Sequence, residues 1–599
     1  MCGITAYCGK DNALPFLIQG LEKLEYRGYD SAGVTILDKT LTTVKCKGRL
    51  QLLVEELQNY NLNGHIGIGH TRWATHGVPS HLNSHPHTND KNTISIVHNG
   101  IIENYRELKE ELVDYGYHFQ SETDSEVVVH LLDYYYDGDL LKATQKVLKR
   151  IEGSYALCII STMHKDEIIV TKKDSPLIIG KLDQGYGAAS DIPALLSYTK
   201  DVYFLEDHEI AVLKTDSVSF YNQQGETIKK DITSIPYDLE AAQKDGYDTF
   251  MLKEIYEQPH VIKETLRGRV NDNHIIFNEL KNIDFTQFNK VYYVGCGTAY
   301  HACLCGSKIL ESATKLPVIA TVASEFRYDS PIIDDHTLAV FVSQSGETAD
   351  TLAALRLAKT QGATTIAVAN VLGSTISRDA DYVLYTCAGP EIAVASTKAY
   401  TTQLTLLMLL AYYVALRLNK DINQNIIRQL ATIDKYVEQL LKDAETFEDY
   451  AKMLVNKHDA YFLGRSLDYA SVLEGALKLK EVSYVHADAY VAGELKHGPI
   501  ALIEEGSVVI AVATQPHIAA KTISNIQETI ARGADVVLFT TASNEVNNVK
   551  NTYYLPSVEP ALQSILVAIP LQMIAYYTAK LKNCDVDKPR NLAKSVTVE

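Results

Sequence analysis

The chain begins with Met1-Cys2-Gly3-Ile4. If Met1 is removed, Cys2 becomes the first residue and carries both a thiol and a free α-amine. The reference pKa is about 7.7–8.0 for an α-amine and about 8.5 for a thiol. A nucleophile and a base poised near neutral pH would then share one residue. A Cys after Met1 is common, so the remaining residues must decide whether Cys2 is catalytic.

The bulk composition is that of a soluble globular protein of several domains. The chain has 599 residues, 46% of them hydrophobic and 22% charged, which predicts about three to five domains. The net charge of −18 argues against a nucleic-acid partner and fits a cytoplasmic enzyme. Nine scattered cysteines without a C-x-x-C pair indicate a reducing compartment. The N-terminus lacks the basic and apolar regions of a signal peptide.

Two long apolar runs are interpreted as buried helices or subunit interfaces rather than membrane spans. Residues 404–418 are shorter than the ~20 residues that a bilayer needs, and Arg417 interrupts them. Residues 562–581 are interpreted in the same way. No membrane partner is therefore expected.

Three segments of the first half carry polar side chains suited to one small substrate. Residues 94–102 predict a strand that breaks at Asn99-Gly100, where an amide beside glycine also suits an oxyanion hole. Residues 70–77 bring together a guanidinium, the only tryptophan and two histidines. Residues 121–126 open a predicted helix over 126–136, and their simplest role is to cap it.

Taken together, these groups are the set needed to bind and cleave a glutamine amide. A guanidinium can hold an α-carboxylate in a bidentate pair, and a carboxylate can hold an α-ammonium. Amide N–H groups can stabilise an oxyanion while a thiol attacks.

The first half resembles the class II, N-terminal-nucleophile glutamine amidotransferases. The motifs that carry the resemblance are Cys2-Gly3-Ile4, Tyr26-Arg27-Gly28-Tyr29-Asp30-Ser31-Ala32-Gly33, Arg72-Trp73-Ala74-Thr75-His76-Gly77, His98-Asn99-Gly100 and Thr123-Asp124-Ser125-Glu126. The resemblance implies a four-layer αββα sandwich. It also implies that Cys2 is the nucleophile, activated by its own α-amine through water.

The same resemblance assigns roles to the other pocket residues. Asn99 and Gly100 would form the oxyanion hole. Arg72 would bind the glutamine carboxylate and Asp124 its amine. Three further residues would line the pocket: Trp73, which would gate ammonia transfer, Thr75 and His76.

The segment that follows residues 70–77 contains His81, His85 and His87, which could instead form a metal site. No cysteine or carboxylate completes a recognisable ligand spacing, and Pro79 and Pro86 mark a loop. These histidines are therefore expected to organise a loop near the pocket, and no metal is expected.

A hinge separates the two halves. The predicted glutaminase domain spans residues 2–238 and a polar linker spans 239–249. A helix then begins at Phe250, and Pro259 is expected to kink or restart it.

The second half alternates strands and helices and contains a weak internal duplication. Val291-Tyr-Tyr-Val-Gly295 corresponds to Ala460-Tyr-Phe-Leu-Gly464, 169 residues further on. The segment ending at Gln344 corresponds to the one ending at Gln515, 171 residues further on, and Gly362-Ala363 corresponds to Gly533-Ala534 at the same offset. Two doubly wound parallel α/β domains are predicted, with ligands at the carboxyl ends of the strands.

Polar turns after these strands are the candidate sites. Ser343-Gln344-Ser345-Gly346-Glu347-Thr348 follows the second predicted strand of the first copy and precedes a helix, which favours phosphate binding over a simple cap. Gly295-Cys296-Gly297-Thr298 is a second glycine-rich turn, but it lacks the third glycine of a dinucleotide fingerprint. No Walker sequence is present.

In the second copy, Lys478 and Glu481 lie three apart on one helical face. They form either a solvated ion pair or a general base with its partner. The loop 493–499 carries His497, which could act as an acid–base group near neutral pH.

These motifs resemble sugar isomerase (SIS) domains, and the whole chain resembles the glucosamine-6-phosphate synthase family in its compact, bacterial form. Close matches are Val394-Ala395-Ser396-Thr397-Lys398, residues 493–499 and the tail 587–599. The implied domains are SIS domain 1 at 283–422, SIS domain 2 at 453–589 and a tail at 590–599 between the sites.

The family reaction makes D-glucosamine 6-phosphate and L-glutamate from D-fructose 6-phosphate and L-glutamine, the first step of hexosamine synthesis. The phosphate would lie on Ser343, Gln344, Ser345 and Thr348, and Thr298, Val394 and Ser396 would complete the sugar site. His497 would open the ring, Lys594 would form an imine at C2, and Glu481 with Lys478 would move a proton between C1 and C2. Ammonia would pass through a channel that the tail helps to line. The resemblance implies no cofactor and a homodimer.

One departure from the family and two rival functions remain. Ala299 stands where the family often has Ser, so a hydroxyl is missing from the first SIS loop. A different amidotransferase would need a diphosphate-binding or ATP-binding second half, which is not found. A non-enzymatic sugar-phosphate sensor would not need Cys2, Glu481 or Lys594.

Overall fold

The computed structural model describes residues 2–73, 76–235, 244–271, 274–542, 544, 546 and 548–597, apart from the side chain of Tyr26. The chain divides into two compact units. The first comprises Met1–Ala242 together with Ala593–Glu599, and the second comprises Gln243–Leu592. The expected linker at 239–249 lies partly outside the described residues.

The first unit is built on two antiparallel sheets. Its strands are β1 (Gly3–Gly9), β2 (Ser31–Leu37), β3 (Leu41–Lys47), β4 (Ile66–Arg72), β5 (His87–Thr88), β6 (Ile94–Ile102), β7 (Gly153–Ser161), β8 (His164–Lys173), β9 (Ile178–Leu182), β10 (Gly185–Ala189), β11 (Asp201–Phe204), β12 (Ile210–Lys214), β13 (Ser217–Tyr221), β14 (Thr227–Ile228) and β15 (Thr233–Ser234). One sheet has the order β15-β11-β9-β10-β1-β4-β2-β3 and the other β14-β13-β12-β8-β7-β6-β5.

Helices cover the outer faces of these sheets. They are α1 (Ala13–Leu24), α2 (Leu50–Leu57), α3 (Tyr105–Asp114), α4 (Glu126–Tyr135) and α5 (Leu140–Leu148). One apolar core lies between the sheets, where Ile4, Ile68 and Val170 meet. Another lies between the second sheet and α3–α5. The predicted αββα sandwich is confirmed, because each sheet buries one face on the other sheet and one on helices.

The prediction that the strand over 94–102 breaks at Asn99-Gly100 is wrong. Strand β6 continues to Ile102, and both residues pair with β7. Gly100 has a φ of +131°, and a Cβ on it would lie 2.1 Å from the carbonyl oxygen of Ser154. The glycine therefore permits a close approach of two strands in a backbone conformation that other residues avoid, and it does not make a turn.

The second unit contains two parallel five-stranded sheets and many helices. Its strands are β16 (Val270–Asn271), β17 (His274–Ile275), β18 (Lys290–Gly295), β19 (Val318–Val322), β20 (Thr337–Ser343), β21 (Thr364–Ala369), β22 (Tyr382–Tyr385), β23 (Asp459–Gly464), β24 (His486–Val491), β25 (Val508–Ala513), β26 (Asp535–Thr541) and β27 (Asn551–Leu555). Its helices are α6 (Phe250–Tyr256), α7 (Gln258–Leu266), α8 (Thr298–Thr314), α9 (Ala323–Phe326), α10 (Ala349–Thr360), α11 (Thr375–Asp379), α12 (Lys398–Arg417), α13 (Gln424–Leu430), α14 (Ile433–Leu441), α15 (Ala444–Lys452), α16 (Leu467–Ser483), α17 (Ala519–Ile530) and α18 (Gln563–Leu581).

The predicted duplication is present in detail. The two parallel sheets have the orders β19-β18-β20-β21-β22 and β24-β23-β25-β26-β27, so each strand has its counterpart. Helix α8 is preceded by Gly297 at φ 53°, ψ −125°, and α16 by Ser466 at φ 55°, ψ −121°. Strand β19 lies between β18 and β20 in the chain, so the turn at Ser343 follows the third strand and not the second.

Both apolar runs form core helices of the second unit. By length and composition alone, residues 398–417 and 560–581 could cross a membrane, but 94% and 89% of their most apolar windows are buried. Pro259 lies in the first turn of α7, directly after α6, so the predicted restart of the helix at this proline is confirmed.

Candidate active sites

The register of β1 and β4 brings Cys2 to the start of the candidate glutamine pocket. Gly3 pairs with Thr71, so Cys2 lies beside the end of β4. The backbone N–H of Trp73 donates to the Cys2 Sγ atom over 3.2 Å. Gly28 makes this arrangement possible, because a Cβ there would lie 2.7 Å from the backbone of Arg72 and of Trp73.

Arg72 presents an unused donor to this pocket. Its Nη2 group donates to the carbonyl oxygens of His76 and Gly77. Its Nη1 group is buried and has no hydrogen-bond partner among the described residues. A buried guanidinium nitrogen without a partner is costly, and an incoming carboxylate would satisfy it. Thr75, expected in the same pocket, lies outside the described residues.

Asn99 and Asp124 reach the pocket from the second sheet and from the start of α4. The Asn99 Nδ2 group donates to the carbonyl oxygen of Cys2 over 2.9 Å. Asp124 does not cap α4, since its Oδ2 atom accepts from the backbone N–H of Ile102 over 2.8 Å. The residue before α4 is Ser125, which makes no side-chain cap bond.

The electrostatics of Cys2 favour the thiol until a base acts on it. Burial raises the pKa of the Cys2 thiol, against the lowering effects of the Trp73 N–H group and the Arg72 guanidinium. An activating base is therefore needed close to the sulfur atom. The ring of Trp73 contacts that of Tyr29 edge-on, and the ring of His76 contacts that of Tyr105 in the same way.

In the second unit, the turn between β20 and α10 forms a cradle of hydroxyl and backbone N–H groups. The Ser343 Oγ atom lies 3.2 Å from Thr348 Oγ1 and accepts from the Gly346 N–H over 3.0 Å. The Glu347 N–H donates to Ser345 Oγ over 3.2 Å. Because these groups lie at the N-terminus of a twelve-residue helix, the turn is suited to a phosphate.

Two features hold this cradle in shape. Gly346 has a φ of +67°, and a Cβ on it would lie 2.2 Å from Ser374 Oγ. The buried Glu347 carboxylate accepts from the backbone N–H of Thr375 over 2.7 Å and from its hydroxyl over 2.8 Å. Gln344 lies within the same turn, and its carbonyl oxygen accepts from the Asn370 N–H over 3.1 Å.

Lys478 is the centre of a buried charge cluster between α8 and α16. Its Nζ atom lies 2.5 Å from Glu481 Oε2 and 3.4 Å from Glu474 Oε1, and it donates to Thr298 Oγ1 over 3.0 Å. Burial alone would lower the pKa of Lys478, but Glu474 and Glu481 outweigh it and raise the pKa. The His301 Nδ1 atom lies 2.8 Å from Glu474 Oε2.

The remaining predicted isomerase residues lie at separate places in the chain. Val394 is buried, and its N–H donates to the carbonyl oxygen of Asp587 over 3.0 Å. Ser396 is half-buried in the segment before α12. His497 is exposed at the end of a 3-10 turn over Glu494–His497. Lys594 is half-buried and belongs to the segment that groups with the first unit.

Two of the three histidines expected to organise a loop, His85 and His87, form an aromatic stack with His70 of β4, and His87 itself lies in β5. His85 stacks on His70 with ring centroids 4.2 Å apart, and His87 contacts His85 edge-on at 4.5 Å. His81 lies outside this stack and is exposed. No group of three or more metal-ligating side chains is arranged to hold an ion in the part of the chain that the structure describes.

Comparisons with known proteins agree with this geometry. A glutamine amidotransferase domain model matches residues 70–197, and an SIS domain model matches 284–413 and 453–581. A protein of Clostridium tetani named glutamine–fructose-6-phosphate aminotransferase (isomerising) is 52% identical over 608 residues, which cover all of both chains. This chain belongs to that family.

Further relatives support the same membership. A protein of Caldanaerobacter subterraneus with the same name is also 52% identical over 609 residues, again covering all of both chains. Among solved structures, the C-terminal domain of glucosamine-fructose-6-phosphate aminotransferase from Francisella tularensis matches with a TM-score of 0.56 and 38% identity. It covers 58% of this chain and 100% of that one. The predicted family is confirmed.

Two residues that touch the predicted sites, Glu474 and His301, were not predicted, and His70 was noted only as one of the two histidines of residues 70–77, without a role. Glu474 and His301 extend the cluster around Lys478, and His70 lies against Asn99. Glu474 lies four residues before Lys478 on one helical face, so its spacing could have indicated it. No local signal indicates His301 or His70, because each meets its partner only through packing of distant strands or helices.

Proposed function

We propose that the first unit hydrolyses L-glutamine at Cys2 and that the second unit uses the ammonia to make D-glucosamine 6-phosphate. As an isomerising glutamine–fructose-6-phosphate aminotransferase, the chain turns one glutamine and one fructose 6-phosphate into one glutamate and one glucosamine 6-phosphate. The observation that carries the glutaminase assignment is the buried Nη1 group of Arg72, unpartnered among the described residues, in the same pocket as the Cys2 thiol.

In the glutaminase step, the Cys2 sulfur atom attacks the γ-carbonyl carbon of glutamine. The α-amine of the processed N-terminus takes the thiol proton through water and delivers it to the leaving ammonia. Asn99 Nδ2 and the Gly100 N–H bind the oxyanion, while Arg72 and Asp124 hold the α-carboxylate and α-ammonium. Water then cleaves the thioester and releases glutamate.

In the synthase step, the phosphate binds the turn after β20, on Ser343, Gln344, Ser345 and Thr348. The partially positive end of α10 and the inward-facing hydroxyls support this assignment. Thr298, Val394 and Ser396 bind the sugar. Ala299 offers the sugar no hydroxyl, and the neighbouring Thr298 hydroxyl already donates its proton to Glu474 over 3.0 Å, so Thr298 would meet the sugar as an acceptor.

Ionisable side chains carry out the reaction at C1 and C2 of fructose 6-phosphate. His497 opens the ring, and Lys594 forms an imine at C2 with loss of water. Ammonia displaces the lysine amine from this imine. Glu481 then carries a proton from C1 to C2, and Lys478, at 2.5 Å from it, stabilises the developing negative charge. We further propose that the protein is a cytoplasmic homodimer in which the tail lines an ammonia channel.

Separate loss of the two half-reactions tests this assignment. Cys2→Ala should abolish glutamate release while fructose 6-phosphate still binds with unchanged affinity. Cys46→Ala, another half-buried free cysteine of the first unit, is the matched control and should keep both properties. Glutamate release by Cys2→Ala at the wild-type rate, from protein with an intact N-terminus, would overturn the assignment.

A further inference from the structure

His70 is a buried histidine that the mechanism above does not use. It lies in β4 with no exposed surface, facing the second sheet. Its Nε2 atom lies 3.0 Å from the carbonyl oxygen of His98 and 3.1 Å from Oδ1 of Asn99. Its Nδ1 atom is buried and has no hydrogen-bond partner among the described residues.

These contacts determine where the imidazole carries its proton. The His98 carbonyl oxygen is a backbone acceptor and cannot be reversed, so the Nε2 atom facing it must be the donor. The Nδ1 atom then needs no acceptor. Burial, which outweighs the backbone bond to His98, lowers the pKa of His70 to about 3. The ring is therefore neutral at physiological pH, with its one N–H group pointing at both oxygens.

The same proton determines which way the Asn99 amide points. An N–H donor on His70 requires the amide oxygen on its side, which leaves the Nδ2 group facing the Cys2 carbonyl oxygen at 2.9 Å. A reversed amide would put N–H against N–H at His70 and oxygen against oxygen at Cys2. Both reversed contacts are repulsive, so His70 admits one orientation of Asn99.

Packing holds the His70 ring where this contact needs it. His85 stacks on it with an angle of 23° between the ring planes, and His87 supports His85 from the edge. The His87 Nε2 atom is in turn 3.1 Å from the Thr123 hydroxyl, next to Asp124. Burial lowers the pKa of both His85 and His87 well below its usual value, so the stack is neutral.

We propose that His70 is a positioning residue of the glutaminase. It holds the Asn99 amide so that one N–H of Nδ2 stays on the Cys2 carbonyl oxygen and the second N–H is offered to the oxyanion of the reacting glutamine. This inference rests on the proposed role of Asn99 as an oxyanion donor. An oxyanion donor is worth about 10²–10³ in kcat. The His70–Asn99 hydrogen bond is neutral and only favours one orientation of the Asn99 amide, so its loss should lower kcat by less than loss of the donor itself, about tenfold. KM for glutamine should stay unchanged, because His70 does not touch the α-carboxylate or α-ammonium ligands.

Two amide substitutions separate positioning from general loss of structure. In His70→Gln the side-chain amide can place an N–H group where Nε2 was, whereas in His70→Asn it ends one bond short. We expect His70→Gln to keep kcat for glutamate release within about threefold of wild type, and His70→Asn and His70→Leu to lose about tenfold. His130→Gln, which replaces a fully buried histidine on α4, is the control for loss of any buried imidazole and should stay near wild type.

A double-mutant cycle then decides whether His70 acts through Asn99. In an Asn99→Ala background, His70→Asn should cost nothing further. An equal tenfold cost in that background, or full activity of both His70→Asn and His70→Leu, would overturn the proposal. If His70→Leu does not fold, the kcat values of His70→Gln and His70→Asn are sufficient to test the proposal. Wild-type activity of Asn99→Ala would instead refute the role of Asn99 itself.

Discussion

Replacing Lys478 by Met should destabilise the second unit and stop hexosamine synthesis while leaving glutamine hydrolysis intact. The Lys478 side chain is 1% exposed and pairs with Glu481 at 2.5 Å and Glu474 at 3.4 Å. Methionine fills a similar volume but leaves two carboxylates facing each other without their shared cation. Lys480→Met on the same helix is the matched control, because the Lys480 side chain is 43% exposed and lies 3.6 Å from Asp488.

The two substitutions should lower the free energy of unfolding by clearly different amounts. Removing one partner of a buried ion pair costs about 3–5 kcal/mol. The lower end applies here, since Glu474 keeps its contacts with Thr298 and His301. The exposed pair of Lys480 is worth less than about 1 kcal/mol. Lys478→Met should therefore lower the free energy of unfolding of the second unit by about 3 kcal/mol.

Urea denaturation can follow the two units separately. The chain has one tryptophan, Trp73, in the first unit, so tryptophan fluorescence reports that unit while helical circular dichroism reports largely the second. Lys478→Met should shift the dichroism transition and leave the fluorescence transition in place. Adding Glu481→Gln should recover part of the stability but no synthesis. Equal stability and equal glucosamine 6-phosphate formation in Lys478→Met and Lys480→Met would show that neither stability nor synthesis depends on the buried Lys478 ammonium group.

Three further predictions concern the other sites. A tag or an uncleaved Met1 before Cys2 should abolish glutamate release and leave fructose 6-phosphate binding unchanged; glutamate release from a tagged protein would contradict the role of the α-amine. Ser343→Ala with Thr348→Val should raise KM for fructose 6-phosphate about tenfold or more, since two hydroxyl contacts to a dianion are lost, without a change in KM for glutamine; an unchanged KM would exclude this turn as the phosphate site. Folding lowers the pKa of His70 from 6.5 to about 3. As pH falls below 6.5, the unfolded chain therefore binds a proton at this histidine and the folded protein does not. The free energy of unfolding is highest above pH 6.5 and falls progressively towards pH 3. Between pH 7 and pH 5 the wild type should lose about 2 kcal/mol more stability than His70→Gln, and parallel pH curves in urea titrations would contradict this.

The duplicated α/β domains could be predicted from the sequence because strand and turn patterns recur at nearly constant offsets. Helices α8 and α16 begin and end 169 residues apart, close to what the matched segments indicate. The burial of residues 404–418, most of which lie in α12, was also predictable, because this apolar run is shorter than a membrane span and Arg417 interrupts it. These local sequence patterns predict the structure correctly because tertiary packing favours the same helices and strands.

Contacts between distant segments could not be predicted. Asn99-Gly100 has the local preference of a turn, yet pairing with β7 keeps it in a strand. Local turn propensity loses to a ladder of backbone hydrogen bonds that only the assembled sheet supplies. His301 meets Glu474 across 173 residues of chain, and neither residue has a sequence motif that points to the other.

Through the joint action of both units, the amide nitrogen of glutamine becomes the amino group of the sugar. The most direct test incubates the purified protein, with Cys2 as its first residue, with [amide-¹⁵N]glutamine, fructose 6-phosphate and an excess of unlabelled ammonium. We expect glucosamine 6-phosphate that carries ¹⁵N, because the ammonia passes to the sugar site before it mixes with the solution. No glucosamine 6-phosphate, or a product labelled only in proportion to the ammonium in solution, would contradict it.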